Sequence, residues 1–159
     1  MNWRPIFYRS TGADTDGIGY IDVPNDREYK IISLKATFER STDITYTAAM
    51  APVLDIVTST TAHGSSAGEH ILARYRSIAT MTADTIANVI YFQNAIPAGD
   101  TNQGVAVETQ NFYVPIPEDL VLSTEMRMKV WTSPSTGGAM AVLDLEGLFY
   151  VRGAGGHKA

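Results

Sequence analysis

The chain has 159 residues, of which 45% are hydrophobic and 18% charged, with a formal net charge of −5 and no cysteine. That length suits one domain able to bury a core without staples, and the lack of cysteine excludes disulfides, thiolate zinc sites and cysteine nucleophiles. The negative balance argues against the phosphate binding that basic proteins achieve by releasing counterions, so no nucleic-acid partner is expected.

In chain order, Met1-Asn2-Trp3-Arg4-Pro5 carries no apolar core of signal-peptide length, and no later run approaches the roughly 18 residues of a membrane helix. A soluble chain made in the cytoplasm, with no membrane partner, is expected. Residues 1–17 read as an N-terminal arm: Ile6-Phe7-Tyr8 has the makings of a short strand, but residues 10–17 are loop chemistry. Residues 18–23 are a short strand closed by Pro24-Asn25-Asp26, a turn because Pro fixes φ and Asx side chains bond nearby backbone. Residues 29–39 give the cleanest strand, with Ile32, Leu34, Ala36 and Phe38 on one face and Lys35, Thr37 and Glu39 on the other. Two strands over residues 44–50 and 53–58 follow, split by Ala51-Pro52.

Residues 59–68 are a loop of small residues. Residues 71–78 fit either a helix, through Ile71, Tyr75 and Ile78, or a strand; the β surroundings favour strand. Residues 85–93 are a strand and 96–104 a loop. Short apolar runs at 112–116 and 120–122 are punctuated by Pro115 and Pro117. Residues 125–131 then alternate, with Met126, Met128 and Val130 opposite Arg127 and Lys129. A turn at 133–138 leads to a last strand over 139–150, where Asp144 and Glu146 face away from Leu143 and Leu145. Residues 153–159 read as a flexible tail.

These signals predict an all-β fold: an antiparallel, jelly-roll-like sandwich of about eight to ten strands over residues 18–152. Its expected core includes Ile32, Leu34, Phe38, Met128, Val130, Leu143 and Leu145.

Candidate chemistry is thin. Gly64-Ser65-Ser66-Ala67-Gly68 matches the pattern of a hydrolase nucleophile turn, but lacks the strand before it and the helix after it, and His157 lies in a glycine-rich tail. Asp14-Thr15-Asp16-Gly17 resembles the start of a calcium loop, yet the twelfth position holds Asn25 rather than Glu, and the flanks read as strand. His63, Glu69 and His70 have metal-ligand chemistry at a spacing that fits no compact site and read as surface residues. Glu118 and Asp119, adjacent in a turn, cannot flank one glycosidic bond. No catalytic residue, cofactor site or metal site is therefore assigned. Trp3, Phe7 and Tyr8 are concentrated in the arm. They either fold back on the sandwich or anchor the arm on a neighbouring subunit, and the second reading makes them the candidate interface. The arm is then expected to serve assembly rather than the stability of the isolated domain.

From Tyr29 to Tyr150 the order of features resembles a group of small tailed-phage head and neck proteins. The words that carry it are Tyr29-Lys30-Ile31-Ile32-Ser33-Leu34-Lys35-Ala36-Thr37-Phe38, then Tyr91-Phe92-Gln93-Asn94-Ala95-Ile96-Pro97-Ala98-Gly99. Val114-Pro115-Ile116-Pro117-Glu118-Asp119-Leu120-Val121-Leu122, Met126-Arg127-Met128-Lys129-Val130-Trp131 and Ala141-Val142-Leu143-Asp144-Leu145-Glu146 complete it. Where such proteins often carry Pro-Ala-Gly before the basic strand, this chain has Leu122-Ser123-Thr124. The resemblance implies a non-enzymatic virion protein, a capsid decoration or minor capsid subunit, docked on the major capsid protein or other virion subunits as a homo-oligomer. A neck or tail adaptor is the nearest variant. A carbohydrate-binding β-sandwich, with Trp131 and Tyr46 as a stacking platform, is the rival.

Overall fold

A computed structural model describes residues 2–14, 18–39, 51–58, 69–76, 87–94, 109–133 and 141–154. Every regular element among them is a strand: β1 (Arg4–Asp14), β2 (Gly19–Asp22), β3 (Arg27–Glu39), β4 (Ala51–Thr58), β5 (His70–Arg76), β6 (Ala87–Gln93), β7 (Thr109–Pro115), β8 (Met126–Ser133) and β9 (Ala141–Gly153). They form a five-stranded sheet in the order β1-β9-β3-β6-β7 and a four-stranded sheet in the order β2-β8-β4-β5. The segment that fitted both helix and strand is β5.

Side chains alternate across a strand, so one face of each sheet can be apolar throughout. Leu34, Ala36, Phe38, Ile90, Phe92, Val114, Leu145 and Phe149 come from the five-stranded sheet. They meet Ile21, Leu54, Ile56, Met128 and Val130 of the other in one buried cluster. Most of the expected core is there, although the side chain of Leu143 lies outside the described ones. Ile32 is a correction. A bulge between Ile31 and Ser33 inserts one residue against β9, so Ile31 and Leu34 are both buried and Ile32 is only half-buried. Strict alternation read through that point puts the wrong isoleucine inside.

Three further expectations change. The supposed arm is β1, an edge strand paired with β9 from Arg4 opposite Val151 to Thr11 opposite Asp144 and, after a register shift, at Asp14 opposite Val142. Ser10 and Gly12 read as loop because serine and glycine favour strands poorly; pairing of β1 with β9 on both sides of Gly12 overrides that. Ala51 and Pro52 do not split a strand but begin β4, where Pro52 pairs with Thr132 and pairing with β5 starts only at Val53. Among the described residues Pro52 is paired on one side only, an edge position where proline is tolerated. The β6–β7 pair is parallel, whereas every other pair is antiparallel. In the other sheet, a register shift between Ile56 and Val57 accompanies β5, where Ala73 and Tyr75 pack on the core while Ile71 and Leu72 remain exposed.

The chain between β7 and β8 is pinned to β3 by a reciprocal pair of backbone bonds, Tyr29 N–H to Leu122 O and Leu122 N–H to Tyr29 O, each 2.8 Å. Ile116 and Leu122 thereby join the core cluster. The Tyr29 ring stacks on Phe149 at 5.3 Å, next to the start of β3.

Candidate functional site

The outer face of the four-stranded sheet is polar, buried at its centre and exposed toward β5. β4 is buried on both faces from Ala51 to Val57, so the residues beside it on the outer face must satisfy their charges locally. Tyr20, Lys129, Asp55 and Arg74 lie in one row across β2, β8, β4 and β5. Asp55 is 1% exposed. Its carboxylate accepts Arg74 Nε at 2.7 Å and Nη2 at 2.9 Å on separate oxygens, and Trp131 Nε1 at 2.9 Å. That bidentate bond raises the Arg74 pKa further above its ordinary value. Beside this row, Lys129 Nζ donates to Glu69 at 3.0 Å and Arg127 Nε approaches Asp22 at 3.0 Å. The Arg127 and Lys129 cations lie 5.2 and 5.8 Å from the Tyr20 ring centre. Glu69 is therefore not the surface residue the sequence suggests: its side chain is 8% exposed and ion-paired. The network neutralises buried charge strand by strand, which is the arrangement a stable buried ion pair requires.

The outer face of the five-stranded sheet differs. Arg9 approaches Asp144 at 3.8 Å and Glu146 at 3.5 Å, and Lys35 approaches Glu146 at 3.6 Å. Tyr91 and Tyr113 stack at 5.2 Å farther along. Toward the start of β1 the charges give way to apolar groups: Phe7 stands opposite Leu148, and Pro5 opposite Tyr150. Phe7 is 66% exposed, Leu148 39% and Tyr150 43%. Among the three expected interface residues, Phe7 alone is widely exposed. Tyr8 packs against the core. Trp3 is half-buried, with Arg152 4.4 Å and Lys30 5.0 Å from its ring centre.

At the same end, the starts of β1 and β3 and the end of β9 enclose a cleft of about 630 Å³ lined by Arg4, Arg27 and Arg152 together with Ile6, Tyr29 and Val151. Nothing local in the sequence marks it, because Arg4 and Arg27 share a face only through pairing with β9, from whose other face the Arg152 guanidinium reaches Glu28 and Trp3.

The remaining candidates do not converge. His70 is exposed at the start of β5, and Glu118 and Asp119 are exposed turn residues. Ser66, His63, Asp16, His157 and Tyr46 lie outside the described residues, as does the side chain of Asp14. Among the described residues, no three His, Cys, Asp or Glu side chains group as a metal site, and no helix is long and apolar enough to cross a membrane. Comparisons with protein-family models, curated proteins and solved structures find no match.

Proposed function

We propose that the chain is a non-enzymatic structural subunit of a tailed-phage particle, binding and stabilising the shell as a decoration or minor capsid protein. The finer fold reading that goes with it is a jelly roll. With β7 set aside, every step along the chain changes sheet except β4 to β5, and every pairing is antiparallel. Eight strands in that order match two Greek keys wound into a double sheet, an architecture used by capsid and lectin domains. Fold alone does not choose between those uses.

The observation that favours the virion reading is the Phe7–Leu148–Tyr150 strip. It is an apolar surface on two paired strands, next to charges already neutralised within the chain, and such a surface suits burial against another subunit. The lectin-like rival needs an open ring platform. Trp131 instead commits its indole N–H to Asp55, with Arg74 5.4 Å and Lys129 6.0 Å from its ring centre.

The test is a protein inventory and a density map of purified particles from the source that encodes the chain. The expected result is presence at a fixed copy number, with Phe7 and Leu148 against a neighbouring subunit. Absence from purified particles sinks the reading.

A further inference from the structure

We propose that the free edge of β1 pairs with the same edge of a second copy, antiparallel about a two-fold axis at Phe7. The pairing joins two five-stranded sheets into one continuous sheet. It uses the exposed Phe7 strip but concerns free chains in solution, so it and the virion reading stand or fall by different measurements.

Backbone geometry fixes what that edge presents. Tyr29 commits both its N–H and its C=O to Leu122. Opposite residues of an antiparallel pair turn their backbone groups both toward each other or both away. Val151, opposite Tyr29, therefore turns its groups to β1 and bonds Arg4. By alternation Ile6, Tyr8 and Ser10 also bond β9. Phe7, Arg9 and Thr11 then turn N–H and C=O to the other side, joined there by the C=O of Pro5. No strand lies on that side among the described residues. Such a row of evenly spaced donors and acceptors is what an added extended strand completes.

Edges that stay single carry guards, and this one is lightly guarded. Pro5 lacks an N–H only at its start, and pairing with β9 runs from Arg4 to Thr11 without a shift. The Arg9 guanidinium approaches Asp144 and Glu146 of its own sheet. By contrast, the register of β5 shifts beside Leu72, and Arg76 stands exposed on it. β1 also bares apolar groups on both faces, Phe7 on the outer one and Ile6, 36% exposed, on the inner. A second copy matches both. With Phe7 opposite Phe7 of the second copy, Ile6 falls opposite Tyr8, Pro5 opposite Arg9 and Arg4 opposite Ser10. Apolar groups meet on each face, and no two like charges stand opposite. Moving the axis to Arg9 would set two guanidinium groups against each other. The pair is isologous and closes on itself, leaving no open β1 edge for further copies.

The test is sedimentation equilibrium of the full chain between about 1 and 500 µM. About seven residues a side meet, where stable interfaces use roughly 20–30, so a weak dimer is expected, with a Kd of about 10–100 µM. Phe7→Pro removes an N–H that β9 does not use, a substitution an edge strand tolerates. It should weaken the dimer at least about tenfold, while melting at about 1 µM, where the parent is monomeric, stays close to the parent's. A second measurement does not depend on that variant folding. The chain has no cysteine, so a single introduced thiol reports its own position. Phe7→Cys places two Cα atoms about 5.5 Å apart across the axis, within disulfide reach, and should cross-link readily under mild oxidation. Ile71→Cys, equally open to solvent on β5, should cross-link far more slowly. Three results overturn the proposal: a monomer at every concentration, a Phe7→Pro variant that dimerises as the parent does, or cross-linking at position 71 as fast as at position 7.

Discussion

At the scale of single residues, two positions show how far the structure depends on atoms that sequence patterns do not weigh. Gly147 sits on the core face of β9, and a Cβ placed there would lie 2.2 Å from the Phe149 ring. That ring is fully buried and stacked on Tyr29, so it has nowhere to retreat. Gly147→Ala is expected to destabilise the fold by about 1–3 kcal/mol through overpacking, measured by urea denaturation. An unchanged midpoint would mean that the ring swings aside freely. Asp55 makes the opposite case. Its removal leaves the Trp131 N–H without its acceptor and releases Arg74, whose side chain is 45% exposed, to water. Asp55→Ala should therefore cost about 1–3 kcal/mol, the loss expected when a buried donor is left without its acceptor. Asp55→Asn keeps an acceptor for one donor and should cost less. If the two variants prove equally stable, the carboxylate is not what orders the outer face.

At the scale of elements, alternation carried most of the fold. β8 and β9 read correctly because Met128 and Val130, then Leu145, fall inward while Arg127, Lys129, Asp144 and Glu146 fall outward. The failures sit where local pattern is overruled from outside the strand. The bulge at Ile31–Ser33 is set by pairing with β9, and Ser10 and its neighbours become strand only because the edge of β9 is available. The candidate surfaces were less legible still. Phe7 was visible as an arm aromatic, but Leu148 and Tyr150 read as ordinary members of a half-buried strand until β1 was laid beside them. The cleft had no signature at all, since residues 4 and 27 come to one face of the sheet only through register.

This placement makes β1 part of the fold, where the arm reading gave it to assembly rather than stability. Tyr8 packs against the core and β1 satisfies the edge of β9, so deleting residues 2–10 should lower stability by at least about 2 kcal/mol. Phe7→Ser removes an exposed ring and should change stability by no more than about 0.5 kcal/mol while weakening incorporation into particles. Thermal melting of the two variants distinguishes them. A Phe7→Ser variant that melts as early as the deletion would show that the ring is part of the fold rather than of an interface.

At the scale of the whole molecule, β1, β3, β9 and the chain around Leu122 close together at Tyr29. Its backbone bridges to Leu122, its ring stacks on Phe149, and its edge lines the arginine cleft. Burial raises the Tyr29 pKa above its ordinary value, the nearby Arg27 only partly offsetting that, and burial likewise raises Tyr75, with Asp119 adding to it. An unfolded phenol loses its proton near pH 10. Both folded phenols hold theirs to higher pH, so in that interval the unfolded chain binds fewer protons than the native one. Stability is then expected to be fully present below about pH 10 and to fall as pH rises toward the folded values. Tyr29→Phe, which keeps the ring stack and removes the ionisable group, should flatten the decline, and Tyr29→Phe/Tyr75→Phe should flatten it more. Urea midpoints measured between about pH 8 and 11 check this. Equal slopes for parent and double variant would place the alkaline loss on other groups, and Tyr29 would then be only a packing residue.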